Sequence, residues 1–566
     1  MLLEPTELST ESQELIQVVR DSVIGKDETV IGPFGPRRLT YADYTASGRS
    51  LSFVEDFIRD AVLPLYANTH TESSGTGLQT TRYREDARRI IKECVGATDE
   101  HALIFCGSGT TGAVDRLIGI LNLRIPSDLD RQYGFSDQIP AEQRPVVFIG
   151  PFEHHSNELP WRESIADVIR IPEDADGHID LAVLETQLTA HADRPLKIGS
   201  FSAASNVTGI ISATDTIARL LHEHGALSFW DFAAAAPYVE IDMLGEGDGT
   251  SHKDAIVLSP HKLIGGPGTP GVLVIRRQLL TNSIPAVVGG GTVSFVNPED
   301  HAYLTDPEHR EEGGTPAIIE SIRAGLVFQL KQKVGVDAIR AREERFIKQA
   351  IERWEAHPNI QVLGNPEAER LSIVSFVVRF EGRYLHHNYV VALLNDVFGI
   401  QGRGGCSCAG PYGHNLLGID LETSHQYEEE ILHGCEVIKP GWVRLNFNYF
   451  ISDEVFEYIV GAVEMIGDRG WTLLPHYTFE PGSALWRHRD GLAEPPHSLN
   501  DIDYGADGIR YPRNRLRAGE DALAEYLVQA EAIFTEAAET HPPAEHIEIG
   551  EGFEALRWFP LPDELN

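Results

Sequence analysis

Positive charge is scarce in this sequence. Lys and Arg number 47 against 85 Asp and Glu, which gives a formal net charge of −38. Such a balance repels phosphate backbones and anionic membranes, so nucleic acid and membrane partners are not expected. No stretch approaches the apolar length that crosses a bilayer. The first residues carry early acids and no apolar segment behind a basic patch, so we expect a cytoplasmic protein without a secretory signal.

Cysteine is rare as well. Five cysteines in 566 residues cannot build a disulfide framework, and free thiols suit a reducing compartment. Cys94 and Cys106 lie in apolar runs, which is typical of buried small hydrophobic residues. Cys406 and Cys408 lie two positions apart in a glycine-rich stretch, so they are candidates for chemistry.

The pattern of apolar residues divides the chain into four parts. Residues 41–333 alternate short β-branched runs with amphipathic segments, which predicts a large α/β domain with a mainly parallel sheet. Residues 334–467 have the profile of a smaller α+β domain, residues 1–40 form an N-terminal segment, and residues 468–566 form a C-terminal extension of unknown role. The predicted strands of the large domain are ALIFC, VVFIG, KIGSFS, LSFWD, AIVLS and GVLVI.

The strongest chemical signal is Ser259-Pro260-His261-Lys262, between the run AIVLS and the turn GGPGTPG. A lysine is expensive to bury as a cation, so a chain that tolerates one there lowers its pKa or binds it covalently to a carbonyl. A lone lysine in this position is more often a solvated strand end. The other motifs of the chain favour the chemical interpretation of Lys262.

A glycine-rich turn, Gly107-Ser108-Gly109-Thr110-Thr111-Gly112, follows the run ALIFC and precedes a helical stretch. Backbone N–H groups, the helix N-terminus and the hydroxyls of Thr110 and Thr111 together suit a phosphate. The same residue types also cap helices that bind no ligand, so this turn alone does not decide the function.

Two further polar groups follow predicted strands. Asp231 closes LSFWD and can pair with a protonated ring nitrogen, or it can cap the next helix. His154, in Glu153-His154-His155-Ser156-Asn157, can lie flat on an aromatic ring, although most single histidines are structural. Paired histidines also suggest a metal, but no cysteine or carboxylate at ligand spacing accompanies them, so no metal is expected.

Taken in order, these motifs resemble the class V aminotransferase superfamily over roughly 41–466, and especially its cysteine desulfurase and molybdenum cofactor sulfurase branches. YADYTASG resembles the opening strand motif of that family, and YANTHTESSG its active-site loop. The resemblance implies the fold type I of pyridoxal-phosphate (PLP) enzymes, with a seven-stranded sheet in the large domain. It also implies a homodimer.

The resemblance assigns roles residue by residue. It implies that Lys262 binds PLP covalently, that Asp231 pairs with the ring nitrogen, that His154 stacks on the ring and that Asn206 lies by the phenolic oxygen. The phosphate contacts that it implies are Thr110, Thr111, Ser259, His261 and, toward the partner subunit, Thr315. The position at which many desulfurases carry Gln or His is Ala234 here, which removes one usual partner of the phenolic oxygen.

The cysteine pair indicates the branch. Arg403-Gly-Gly-Cys406-Ser-Cys408 resembles the desulfurase loop in which a cysteine five positions after an arginine attacks the substrate sulfur. The match gives that role to Cys408, with Arg403 as a candidate both to bind the substrate and to stabilise the Cys408 thiolate. Arg444 matches the arginine that grips the substrate carboxylate. The other interpretation is a pair of inert thiols or half of a metal site.

The sequence therefore predicts a PLP enzyme that acts on an amino acid, with a cysteine desulfurase that forms a persulfide on Cys408 as the first hypothesis. A sulfur-acceptor protein would be its partner. A class V aminotransferase, epimerase or lyase would use the same cofactor site without the cysteines. The remaining alternative is a non-catalytic protein of the same fold.

Overall fold

The computed structural model describes residues 9–565 except 70, 248, 492–496, 514–515, 541 and 544–549. The chain forms two compact units. The first comprises 1–24, 44–344 and 367–371, and the second comprises 25–43, 345–366 and 372–566. Within the described residues, no helix combines the length and the apolar character needed to span a membrane.

The regular elements are numbered here in chain order. The strands are β1 (Thr29–Gly32), β2 (Gly35–Arg38), β3 (Thr40–Tyr41), β4 (His101–Cys106), β5 (Val146–Ile149), β6 (Asp167–Arg170), β7 (Lys197–Ser202), β8 (Leu227–Asp231), β9 (Ala255–Leu258), β10 (Gly271–Arg276), β11 (Val293–Val296), β12 (His301–Tyr303), β13 (Ile360–Val362), β14 (Ile373–Phe380), β15 (Arg383–Tyr384), β16 (Ile400–Gln401), β17 (Arg403–Gly405), β18 (Trp442–Asn446), β19 (Tyr477–Glu480), β20 (Leu485–His488), β21 (Asp503–Gly505) and β22 (Gly508–Arg510). The α-helices are α1 (Thr10–Ser22), α2 (Ser52–Phe57), α3 (Gly75–Cys94), α4 (Gly109–Ile120), α5 (Ser127–Tyr133), α6 (Leu159–Arg162), α7 (Leu181–Ala190), α8 (Thr214–Glu223), α9 (Pro307–Arg310), α10 (Ile318–Val334), α11 (Val336–Glu355), α12 (His387–Phe398), α13 (Gly410–Leu417), α14 (Leu421–Leu432), α15 (Asp453–Arg469), α16 (Leu523–Glu539) and α17 (Glu551–Leu556).

A seven-stranded sheet lies in the first unit, with the strand order β4-β10-β9-β8-β7-β5-β6. The strands from β5 to β9 pair in parallel, and β10 runs antiparallel to both β4 and β9. The mainly parallel seven-stranded sheet predicted from the sequence is thereby confirmed. Because β10 alone is reversed among these strands, the carboxyl ends of β4, β5, β7, β8 and β9 lie at the same end of the sheet.

The six predicted apolar runs coincide with β4, β5, β7, β8, β9 and β10, and nearly all their residues are buried. Continuous apolar runs of this kind are typical of strands covered on both faces. Side chains from β4, β5 and β7–β10 form one core cluster with the apolar face of α4. Burial of this face fixes α4, and with it the glycine turn at its N-terminus, against the sheet.

At the outer edge of β4, side chains instead of another strand accept hydrogen bonds from the backbone. The N–H of Leu103 donates to the Glu308 carboxylate (2.6 Å), and the N–H of Phe105 donates to that of Glu312 (2.7 Å). Arg84 and Arg88 pair in turn with Glu312. An exposed edge is a liability for aggregation, and here its donors are satisfied. The same contacts anchor the loop that leads to Thr315.

The second unit is built on a sheet with the order β13-β14-β18-β17, in which β15 also pairs with β14. The C-terminal extension packs into this unit. α16 contacts α12 and α15, with Phe534 against Phe398 at 6.3 Å between ring centroids, and the Tyr477 hydroxyl donates to Asp396 (2.8 Å). These buried contacts show that the extension contributes to the core of the second unit.

Candidate active site

Polar groups lie at the carboxyl ends of five strands that run in the same direction in the first unit. The glycine turn follows β4, His154 follows β5, Asn206 follows β7, Asp231 ends β8, and the segment Ser259–Lys262 follows β9. Ligands of open α/β sheets bind at this end of the strands. The topology thus brings together the residues of this unit that the sequence singled out for a cofactor site, apart from Thr315.

The glycine turn packs tightly on the Ser259 segment. The Thr110 N–H donates to Ser259 Oγ (2.9 Å), and the Ser259 hydroxyl donates to Thr110 Oγ1 (3.0 Å). Gly109 has a φ of +52°, and a Cβ there would lie 2.8 Å from Ser259 Oγ, so the approach requires glycine. The result is a cluster of hydroxyls and N–H groups at the start of α4, which is the donor set of an anion site.

Thr111 is exposed at the same helix start and is linked to the histidine segment. Its Oγ1 lies 2.6 Å from the Ser156 hydroxyl, which in turn lies 3.0 Å from His154 Nδ1. The Ser156 N–H also donates to His154 Nδ1 (3.1 Å), so this nitrogen accepts and the ring orientation is fixed. Ser156 therefore joins the predicted phosphate contact to the predicted stacking residue.

Asp231 is a buried carboxylate with few partners. Its Oδ1 accepts the Ala233 N–H (2.7 Å) and the Thr110 hydroxyl (3.4 Å). Burial raises the pKa of Asp231, although the Ala233 N–H and the charge of Lys262 act in the opposite direction. A carboxyl whose pKa stays raised despite these contacts is suited to a further cationic partner.

Lys262 lies in a single 3₁₀ turn, Pro260–Lys262, directly after β9. The side chain is half-buried, and its charge acts on both Asp231 and His261. Burial, and then the Lys262 charge, lowers the pKa of His261 to about 4, so this imidazole is neutral at pH 7. The lysine thus lies within electrostatic range of the buried aspartate.

Two other predicted contacts occupy contrasting environments. Asn206 is buried after β7, whereas Thr315 is exposed and accepts a long hydrogen bond from the Asn68 amide (3.5 Å). Asn68 belongs to the loop YANTHTESSG, of which His70 lies outside the described residues. The roles of Asn206 and Thr315 toward a cofactor stay predictions.

The groups present fit PLP. Hydroxyls and the N-terminus of α4 would hold its phosphate, Lys262 would offer an amine to its aldehyde, and the buried Asp231 would pair with its protonated ring nitrogen. Ala234 is buried at the position of the usual Gln or His, so it offers no side-chain hydrogen bond there.

The second unit holds the two predicted substrate arginines. The Arg444 guanidinium is buried in β18 and donates from Nη2 to Asp43 Oδ1 (2.8 Å). Arg403, in β17, donates from Nε to Asp43 Oδ2 (3.0 Å) and is half-exposed. Burial lowers the pKa of Arg444, and Asp43 counteracts this effect.

The cysteine loop follows β17 in the same unit. Cys406 is half-buried, Cys408 is exposed, and the Ala409 N–H donates to the Cys406 carbonyl (3.1 Å) across a tight turn. Ser407 and Cys408 both have positive φ, +51° and +57°, which is unusual for residues other than glycine. A charge on Cys408 raises the pKa of Arg444, so the two groups lie within electrostatic range.

The sequence did not single out Asp43 or Ser156 individually. Both lie inside motifs that were recognised, YADYTASG and the EHHSN segment. The signal that could have indicated them is that each is a polar residue inside a recognised motif and has no assigned role there. Their partners, however, lie far away in the chain, 45 positions for Ser156 and about 400 for Asp43.

A family model described as aminotransferase class-V matches residues 40–420. A probable cysteine desulfurase of Halobacterium salinarum is 29% identical over 389 residues, which cover 68% of this chain and 86% of that protein. A probable cysteine desulfurase of Staphylococcus aureus strain Mu50 is 28% identical over 408 residues, which cover 71% of this chain and 90% of that protein. The chain belongs to the class-V aminotransferase family, whose members include the PLP-dependent, cysteine desulfurase-like enzymes that it resembles.

Two solved structures of cysteine desulfurases have the same fold. The enzyme from Thermococcus onnurineus NA1 superposes with a TM-score of 0.59 at 23% identity, covering 76% of this chain and 95% of that one. CsdA from Escherichia coli gives a TM-score of 0.58 at 21% identity, covering 76% and 94%. Both matches confirm the fold type predicted from the sequence.

Proposed function

We propose that this protein is a PLP-dependent cysteine desulfurase that forms a persulfide on Cys408. The observation that carries the proposal is the exposed Cys408 thiol, which lies on a tight turn in electrostatic range of the buried Arg444. Exposed cysteines in electropositive surroundings are typical of reactive thiols. Membership of the family implies PLP chemistry on an amino acid. A thiol nucleophile then makes sulfur the atom that is transferred.

Each residue has a task in this proposal. Arg444 receives the substrate carboxylate, because a planar guanidinium binds a carboxylate through two donors. Lys262 holds the cofactor and, once displaced by the substrate amine, takes the proton from the substrate Cα. Bound PLP supplies an electron-withdrawing ring. Asp231 stabilises positive charge on the nitrogen of that ring.

The sulfur step balances as a transfer of one sulfur atom. The Cys408 thiolate attacks the sulfur of the substrate cysteine, so an S–S bond forms while the substrate Cβ–S bond breaks. The electron pair of the broken bond stays with the substrate carbon, which is protonated, and the substrate leaves as alanine. Cysteine and a protein thiol thus give alanine and a protein persulfide, without an external oxidant or reductant.

The test compares Cys408→Ala with Cys406→Ala in the holoenzyme. We expect Cys408→Ala to abolish release of sulfide and alanine from cysteine, whereas Cys406→Ala should still form the persulfide, detected as a mass increase of one sulfur atom on the Cys408 peptide. Undiminished turnover by Cys408→Ala would remove Cys408 from the scheme.

The second candidate is a class V aminotransferase, epimerase or lyase that uses the same cofactor site. It is favoured by one observation, namely that Lys262, Asp231 and His154 all belong to the first unit, whereas Cys406 and Cys408 belong to the second. A panel of amino acids scored for keto acid against sulfide separates the two candidates.

We further propose a cytoplasmic homodimer that passes sulfur to an acceptor protein. The exposed Thr315 supports the dimer, since the family resemblance gives this residue to the partner's phosphate site. Sedimentation of the holoenzyme tests the dimer. Transfer of label from cysteine sulfur to a second protein tests the acceptor.

A further inference from the structure

Two like charges face each other in the second unit. β17 and β18 pair antiparallel, and Arg403 lies directly opposite Arg444 in the register. Like charges at directly opposed positions of a sheet repel each other. The arrangement therefore needs a counter-charge to be stable.

Asp43 supplies that counter-charge with both oxygens. Oδ1 accepts from Arg444 (2.8 Å) and Oδ2 accepts from Arg403 (3.0 Å), so one carboxylate bridges the two strands. The Asp43 side chain is 11% exposed and that of Arg444 is 4% exposed, so this half of the bridge is shielded from solvent. Arg403, at 46%, is open to solvent.

The charge balance of this triad has a consequence for the ligand. Two guanidinium groups and one carboxylate leave a single net positive charge while Cys408 is a neutral thiol. One substrate carboxylate balances that charge. A second anionic group on the ligand would lie near Asp43 without a cation of its own, and in a partly buried site that repulsion is poorly screened.

We propose that Asp43 is a positioning and specificity-determining residue, which restricts the site to amino acids with one carboxylate and an uncharged side chain. The inference rests on the proposed function, because it takes Arg444 as the group that binds the substrate carboxylate. The inference adds the substrate class of the site to the proposed function. Amino acids with an anionic side chain, such as aspartate, are excluded from this class.

The experiment measures binding and not turnover. The holoenzyme and its Asp43→Asn variant are titrated with L-alanine and L-aspartate by calorimetry. We expect the wild type to prefer alanine and Asp43→Asn to shift the ratio of the two dissociation constants toward aspartate by about tenfold or more. If Asp43 had a merely structural role, its replacement would weaken the binding of both amino acids alike and leave the ratio unchanged. That result would overturn the inference.

Two further variants serve as controls for this experiment. Asp453→Asn is the matched control, because Asp453 pairs with an exposed arginine, Arg345, in the same unit, and it should leave the ratio unchanged. Asp43→Glu keeps the charge, so alanine should remain preferred even if both affinities fall. A loss of the preference in Asp43→Glu equal to that in Asp43→Asn would contradict a charge-based selection.

The outcomes for the two proposals differ. If the ratio shifts as expected but no persulfide forms on Cys408 with cysteine, the desulfurase proposal fails and the role of Asp43 stands. If the persulfide forms but the ratio does not shift, the inference on Asp43 fails and the desulfurase proposal stands. A wild type that binds neither amino acid contradicts both.

Discussion

Two buried aspartates lie at opposite ends of neighbouring strands in the first unit. Asp231 ends β8 at the carboxyl end of the sheet, and Asp254 lies just before β9 at the other end. Asp254 accepts from the Ser228 N–H (2.9 Å), His222 (2.9 Å) and Arg276 (3.2 Å). Asp231 accepts from one N–H and, at a long distance, one hydroxyl.

The two environments move the pKa in opposite directions. Burial raises the pKa of both carboxyls, but at Asp254 the hydrogen bonds from His222 and Ser228 outweigh burial and lower it. Asp254 is thus stabilised as an anion by the protein itself, whereas Asp231 is left incompletely compensated. Such incomplete compensation at a ligand-facing strand end is typical of a functional site. The following experiments test this difference.

The largest effect is expected at Lys262, whose charge acts on Asp231. Lys262→Ala should lower turnover by about 10³-fold or more, because both the covalent hold and the proton-transfer group are lost. Borohydride reduction and peptide mapping of the wild type should label the peptide that contains Lys262.

Lys331 is the internal control for that labelling. It is a buried lysine whose pKa is lowered by burial to about 8, but its amine donates to the Val239 carbonyl. The Lys331 peptide should stay unlabelled in both proteins. Label on Lys331, or label that persists on another lysine in Lys262→Ala, would contradict the assignment.

Exchanging the two aspartates for asparagine should separate function from stability. Asp231→Asn should lower turnover by about 10²–10⁴-fold, since the amide cannot stabilise a positive ring nitrogen. Without cofactor this variant should be as stable as the wild type or more so, because a poorly compensated buried carboxylate has been removed. Chemical denaturation and steady-state kinetics of the same preparations measure both quantities.

Asp254→Asn should give the reverse result. Removing one partner of a buried ionic cluster costs about 3 kcal/mol of unfolding free energy. Turnover per folded molecule should be unchanged, because Asp254 lies at the end of the sheet remote from the candidate active site. A loss of turnover without a loss of stability would end the contrast between the two aspartates.

The stability contributed by Asp254 should depend on pH in a bell-shaped manner. The pKa of Asp254 is lowered from 3.8, so its contribution is lost as the pH falls through its folded-state pKa. Although burial lowers the pKa of His222, Asp254 and the Thr250 carbonyl raise it above 6.5, so the contribution of that bond is lost as the pH rises through the raised value. The difference in unfolding free energy between wild type and Asp254→Asn should therefore be largest between pH 3.8 and 6.5. A difference that is flat from pH 4 to 9 would contradict this coupling.

The sequence predicted the sheet of the first unit better than it predicted the ionic contacts of the protein. Six strands were predicted because continuous apolar runs mark strands that are buried on both faces. The seventh, β6, was missed because Asp167–Arg170 is short and only half-buried at the sheet edge. Asp254 and Asp43 were missed for another reason, since their partners come from distant parts of the chain and no local pattern indicates them.

The candidate site was predicted to the extent that its residues follow strands. Lys262, Asp231, His154 and the glycine turn all lie at or shortly after the ends of apolar runs, so the common direction of β4, β5, β8 and β9 brings them to one end of the sheet. The bridge from Thr111 through Ser156 to His154 was not predicted, because it depends on side-chain rotamers at the start of α4 and not on strand order.

That bridge gives the smallest expected effect. Thr111→Val keeps the shape of the side chain but removes the hydroxyl that lies 2.6 Å from Ser156 Oγ, so the bond to Ser156 and the predicted hydrogen bond to the phosphate are both lost. We expect the dissociation constant for PLP to rise by about tenfold, which corresponds to about 1.4 kcal/mol. Titration of the cofactor-free protein with PLP measures it. Thr186→Val is the matched control, because the Thr186 hydroxyl donates to the Ala182 carbonyl on an exposed helix turn and should not affect PLP binding. Equal affinities in all three proteins would show that Thr111 does not contact the phosphate.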